Sequence, residues 1–111
     1  MVNIILSGAM GKMGQTICRL ANASDDLKIV WGIDIRDDES SPFPITKTAP
    51  DDFNAADVLI DFSNPSLLEN NLKYAIKNSI PALIATTGMD ESHMALIKEA
   101  SKRMSVKRRA L

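Results

Sequence analysis

VNIILSGAMGKMG, residues 2–14, joins an apolar run to a turn that carries three glycines, Gly8, Gly11 and Gly14. A run such as Val2 to Leu6 suits a buried strand of a parallel sheet. The turn behind it is one where side chains would collide with a pyrophosphate, and the helix that follows offers its free amides to that group. The spacing is G-x-x-G-x-x-G, one residue longer than the common dinucleotide fingerprint, with Met10 inside the turn. Gly11 still lets the backbone approach a phosphate, and Gly14 still lets the helix pack closely on the strand. The glycines alone also fit an ordinary strand-to-helix turn.

Asp34 separates the two readings. It lies twenty positions beyond Gly14 and directly follows a second apolar run, Leu27 to Ile33. A carboxylate at that strand end can hold the ribose hydroxyls of an adenosine. Arg36, two residues on, offers a guanidinium to the 2′-phosphate that a lone carboxylate would repel. The pair implies accommodation of both NADH and NADPH. The competing reading makes Asp34 to Glu39, DIRDDE, a solvated acidic loop.

At 111 residues, 45% hydrophobic and 24% charged, the chain has the size and composition of one globular domain. No apolar run approaches bilayer length, and no basic segment followed by an extended apolar region opens the chain. These features argue against a membrane role. With a single cysteine, Cys18, they point to the cytoplasm. Residues 25–61 hold ten acids and three bases, whereas residues 98–111 hold six bases and one acid. The basic end lacks interleaved aromatics, so nucleic acid is not the expected partner.

Helix one is expected from Gly11 to about Ala23, burying Ile17, Leu20 and Ala21 with Cys18 beside them. Cys18 reads as a small core residue, and Trp31 as packing. The proline-rich stretch from Asp37 to Ala56 reads as loop around a short strand near Ile45. Asp57 to Asp61 is the next strand. Asn64 caps the helix behind it, with Pro65 at its first position and its end near Asn78. Ala82 to Ala85 is a further strand leading into Thr86-Thr87-Gly88. A last helix follows, capped by Asp90, with Met89 and Met94 as a hydrophobic staple and with Met94, Ile97, Ser101 and Met104 on one face. His93 is expected at the surface of its first turn. This order predicts an α/β fold, a doubly wound parallel sheet whose three informative turns share one edge. Residues 1–106 form the expected domain. Lys107 to Leu111 is expected as a basic tail, because consecutive bases do not continue a buried parallel strand and suggest a truncated or altered end.

Taken in order, GAMGKMG, DVLIDFSNPS and ALIATTGMDE resemble the N-terminal half of the dihydrodipicolinate reductase family, over nearly all of residues 2–106. The resemblance implies a Rossmann-like cofactor domain. Gly8, Ala9, Met10, Gly11, Lys12, Met13 and Gly14 are then placed at the cofactor phosphates, with Asp34 and Arg36 on the adenosine side and Lys12 also near a 2′-phosphate. Asp61, Phe62 and Ser63 would lie beside the nicotinamide half, and Ala85, Thr86, Thr87 and Gly88 would border nicotinamide and substrate. Many relatives carry glycine where Ala85 stands.

The family reaction moves hydride from NADH or NADPH to an unsaturated ring bearing two carboxylates, in lysine (diaminopimelate) biosynthesis. Its catalytic histidines and lysine belong to a C-terminal α+β substrate domain absent from these 111 residues, so no catalytic residue and no metal ligand is expected here. Family members are homotetramers, which makes a monomer or a non-native oligomer the expectation for this chain. Two other readings stand beside this one: a stand-alone dinucleotide-binding or sensing module, and the N-terminal unit of a related amino-acid or imine dehydrogenase.

Overall fold

Alternating short apolar runs and amphipathic segments settle into strands and helices in turn. The computed structural model describes residues 1–85, 91–101 and 106–108. Along them run β1 (Val2–Ser7), α1 (Lys12–Asn22), β2 (Leu27–Ile33), β3 (Ile45–Thr46), β4 (Val58–Asp61), a 3-10 turn (Pro65–Leu67) leading into α2 (Leu68–Lys77), β5 (Ala82–Ile84), α3 (Glu91–Ser101) and β6 (Val106–Arg108). The strands form one sheet in the order β3-β2-β1-β4-β5-β6, and every pairing is parallel. From β1 the chain winds outward to β3, returns to β4 beside β1, and winds outward the other way. The direction therefore reverses between β1 and β4, where such sheets bind ligands beyond the strands' carboxyl ends.

Each face of the sheet buries its own cluster. Ile4, Leu6 and Ile29 pack with Ala21, Ile17 and Cys18 of α1. Ile5, Ile33, Leu59 and Ile84 pack with Leu68, Leu72 and Ala75 of α2 and Ile97 of α3. Ile29 and Ile33 lie on opposite faces although they stand an even four positions apart, because the β1–β2 register shifts between Ile4 and Ile5, pairing Ile4 with Ile29 but Ile5 with Trp31. Val30 is the extra residue of this bulge, and it inverts the alternation that follows. Ile33 then faces α2, and Asp34, next along the chain, turns toward the glycine turn.

Three expectations need correction. Leu20 is 62% exposed, since the buried stripe of α1 runs through Gly14, Ile17, Cys18 and Ala21 and leaves Leu20 to one side. Lys107 and Arg108 are not tail but part of β6, paired with Leu83 and Ile84. Among the described residues β6 stands at the end of the strand order with one neighbour, and an edge strand tolerates charges that a central one does not. Elsewhere the expected boundaries hold to within about a residue. Asn64 Oδ1 accepts from the Ser66 amide at 3.0 Å, and Pro65 opens the turn. Trp31 packs on Phe53 with ring centroids 4.9 Å apart and donates its indole N–H to Thr46 Oγ1 at 2.9 Å. His93 is half-buried rather than at the open surface, Met94 is half-buried and Ile97 is buried. The expectations for Met89, Asp90 and Met104 lie outside the described residues.

Candidate dinucleotide site

Gly8 opens the turn after β1 with φ +87°, a conformation that side chains resist. A Cβ there would also lie 2.8 Å from the carbonyl carbon of Phe62, so the turns after β1 and β4 touch backbone to backbone. Gly14 is in the first turn of α1, where a Cβ would lie 2.1 Å from Gly8 O. Gly11 differs from both. A Cβ there would meet Gly8 O at an ordinary 3.4 Å and Arg36 Nη2 at 3.8 Å, so its missing side chain leaves open space above the turn. Gly11 is also the N-cap of α1 and no side chain caps the helix, which leaves the first-turn amides to an incoming anion.

Asp34 reaches this turn from the end of β2. Its Oδ2 accepts the Met10 amide at 2.9 Å, and its Oδ1 accepts the Arg36 amide at 3.0 Å and Arg36 Nε at 3.3 Å. Burial pushes the Asp34 carboxyl up, but the hydrogen bonds from the Arg36 and Met10 amides and the Arg36 guanidinium together hold it below the ordinary carboxylate value. The carboxylate is thus charged at neutral pH and fixed against the turn, while the Arg36 side chain remains 61% exposed.

Between the turns after β1, β2 and β4 lies a crevice of about 250 Å³, walled by Gly8 and Gly11, by Asp34, Ile35 and Arg36, and by Phe62, Ser63, Asn64 and Leu67. Beside it a more open cleft of about 510 Å³ gathers Lys12, Arg19 and Arg36 around Gly11 and Thr16. Arg19 is held in that direction by a 3.1 Å hydrogen bond from its Nη2 to Thr16 Oγ1. The first space suits a nucleotide that crosses the switch point, with the free helix end at its phosphates. The second suits a further dianion beside the ribose.

The expected residues divide accordingly. Gly8, Gly11, Asp34, Arg36, Phe62 and Ser63 wall one crevice, and Lys12 joins the adjoining basic cleft. Ala9 is buried, with its amide directed at Ile33 O, and supports the turn from beneath. Met10 spends its amide on Asp34, and Met13 is exposed on α1. Asp61 is wholly buried below the crevice, and Ala85 is buried with its amide on Asp61 O. Thr86, Thr87 and Gly88 lie outside the described residues.

Sequence reasoning passed over Ile35, Leu67 and Arg19. Ile35 is 71% exposed, an apolar residue between two charged ones just past a strand, and that interruption of a polar loop was its available signal. Arg19 falls seven residues after Lys12, the two-turn spacing that places both on one helix face. Cys18 lies half-buried against the core and burial pushes its thiol up, as suits an inert packing residue. Among the described residues no His, Cys, Asp and Glu cluster could hold a metal ion, and no helix is long and apolar enough to cross a membrane.

Known proteins share this pattern. The family described as "Dihydrodipicolinate reductase, N-terminus" matches residues 2–108. A 4-hydroxy-tetrahydrodipicolinate reductase of Clostridium novyi is 40% identical over 102 residues, which cover 92% of this chain and 40% of that protein. One from Clostridium botulinum is 41% identical over 111 residues, covering 99% of this chain and 43% of its own length. The chain therefore spans about two fifths of these curated relatives. Among solved structures, a dipicolinate-bound dihydrodipicolinate reductase from Paenisporosarcina superposes with a TM-score of 0.69 at 17% identity, over 90% of this chain and 44% of that one. A Staphylococcus aureus homoserine dehydrogenase superposes with a TM-score of 0.73 at 14% identity, over 97% of this chain and 32% of its own. At such identities the likeness is one of fold.

Proposed function

The chain belongs to the dihydrodipicolinate reductase N-terminal family, and from that membership we propose that it is the nicotinamide-dinucleotide-binding domain of such a reductase. One observation carries the reading. The uncapped start of α1 at Gly11, the charged Asp34 carboxylate and the Phe62–Ser63 turn converge on one crevice at the sheet's switch point. The pyrophosphate goes to the first-turn amides of α1, the adenosine ribose to Asp34, and the adenine between exposed Ile35 and the Asn64–Leu67 wall. The nicotinamide half then extends along the carboxyl ends of β4 and β5. Asp34 already holds two amides, so a ribose hydroxyl joins an oriented acceptor rather than ordering a free one.

Lys12, Arg19 and Arg36 in the adjoining cleft favour the 2′-phosphate of NADPH, while Asp34 keeps NADH acceptable. When bound, the cofactor supplies hydride for an unsaturated dicarboxylate ring, the 4-hydroxy-tetrahydrodipicolinate or dihydrodipicolinate step of lysine biosynthesis in the cytoplasm. Groups for proton delivery and carboxylate binding belong to the family's remaining three fifths. This chain's own residues bind and orient the cofactor.

Calorimetric titration of NADPH and NADH into the purified chain tests this, with Gly11→Glu as control. The added carboxylate would fill the space over the turn and repel phosphate. Saturable binding that disappears in the variant is expected. A folded chain that binds neither cofactor at millimolar concentration would overturn the reading.

A further inference from the structure

The face of α2 turned to the core carries Leu68, Leu72 and Ala75, and between them stands Asn71, with none of its surface exposed. A helix position of this kind takes an apolar residue by default, because a buried amide costs free energy unless all its hydrogen bonds are made. Asn71 makes only some of them. Its Nδ2 donates to Ser7 Oγ at 2.9 Å and to Asp61 Oδ2 at 3.0 Å, while its Oδ1 is buried with no partner among the described residues. Ser7 and Asp61 are likewise fully buried, and they are paired neighbours at the ends of β1 and β4.

The two residues that Asn71 holds stand directly before two of the three turns that form the crevice. Ser7 precedes Gly8. Asp61 precedes Phe62, and its second oxygen, Oδ1, accepts both the Ser63 amide at 2.8 Å and the Ser63 hydroxyl. Oδ2 faces down to Asn71 and Oδ1 faces up to the turn, so the amide fixes the rotation of the carboxylate from which the Ser63 turn hangs. The amide thus serves a fully buried carboxylate from below, while its own carbonyl finds no partner among the described residues. We infer that Asn71 is a positioning residue, which acts through Asp61 to hold the Phe62–Ser63 turn in place for the nicotinamide half of the cofactor. The assignment to that half rests on the dinucleotide reading above. The ordering of the turn does not.

The test therefore has two readouts and a control. Asn71→Ala removes the amide, Asn71→Ser restores a short donor, and Leu72→Ala weakens the same helix without touching the network. In amide hydrogen exchange, Asn71→Ala is expected to speed exchange at Ser63 about tenfold more than at Leu59, the factor that loss of one buried hydrogen bond gives. Leu72→Ala is expected to raise both together, and Asn71→Ser to recover part of the Ser63 protection. In calorimetry, Asn71→Ala is expected to weaken NADPH about tenfold while 2′,5′-ADP, which carries only the adenosine half, stays within about twofold.

Unchanged Ser63 protection in Asn71→Ala would overturn the positioning role. Equal weakening of NADPH and 2′,5′-ADP would overturn its assignment to the nicotinamide half. Should the unaltered chain bind no dinucleotide, the functional reading and that assignment fall together, and the exchange experiment still decides the positioning role.

Discussion

Gly14→Ala sets two physical effects of opposite sign against each other. Gly14 lies within α1, where replacing glycine by alanine ordinarily stabilises a helix by about 1 kcal/mol. Here the new Cβ would stand 2.1 Å from Gly8 O and 2.8 Å from both Cα and the carbonyl carbon of Ala9. All three are backbone atoms, so no side chain can rotate aside. Reaching even 3.0 Å from the oxygen requires the helix start or the turn to retreat by about 0.9 Å. Gly8 resists, because its amide is bonded to Ile33 O at 2.7 Å and its oxygen accepts the Gly11 amide at 3.1 Å.

Overpacking of about 1–3 kcal/mol, taken at its upper end because backbone must move, plus about 1 kcal/mol for a broken turn hydrogen bond, outweighs the helix gain. The net expectation is a loss of about 3 kcal/mol, a large part of the roughly 5–15 kcal/mol that holds a domain together. At about 4 °C per kcal/mol this lowers Tm by about 12 °C. Urea unfolding followed by emission of Trp31, the one tryptophan, measures it. Gly11→Ala is the comparator, since its Cβ would meet only ordinary contacts and its expected cost is the N-cap preference, about 1 kcal/mol or less. A Gly14→Ala chain as stable as its parent would refute the close-packing argument and move Gly14 from a structural to a ligand role.

Asp34→Asn tests the pH reading. A carboxyl held below its ordinary value of 3.8 contributes stability above that pH and loses it as pH falls through the depressed value, so the variant should be less stable than the parent at pH 7, with the difference shrinking as pH falls below 3.8 in urea titrations. Ser79 ends α2 at φ +53°, with Ile80 N on Ala75 O at 3.1 Å, and Ser79→Gly should raise stability by about 0.5–1 kcal/mol in the same assay; a loss would contradict the left-handed cap. Tyr74→Phe removes a 2.7 Å hydrogen bond from Tyr74 Oη to Phe53 O and should cost about 1 kcal/mol. Arg19→Ala should weaken NADPH several-fold and leave NADH unchanged by calorimetry; equal effects on both would remove Arg19 from the 2′-phosphate cleft.

The bulge at Val30 shows where sequence reasoning stops. LKIVWGI marks β2 to the residue, because six apolar or small residues, interrupted only by Lys28 and bounded by Asp26 and Asp34, have few alternatives to a buried strand. The same uniformity conceals which way each side chain points, for a run without alternation gives no register. The position of Asp34 after the strand was legible from spacing. Its direction was not, since it depends on Val30 being accommodated as an extra residue opposite Ile4 and Ile5.

Asn71 presents the complementary case. In LENNLKYAIK it reads as one polar residue among several on an amphipathic helix, and only the paired ends of β1 and β4 reveal that it faces inward to Ser7 and Asp61. Local pattern thus identified the turns that build the crevice, because glycine, proline and capping residues act through their own backbone. The residues that aim those turns act across the sheet. Their effect depends on register and on helix rotation, which long-range packing sets.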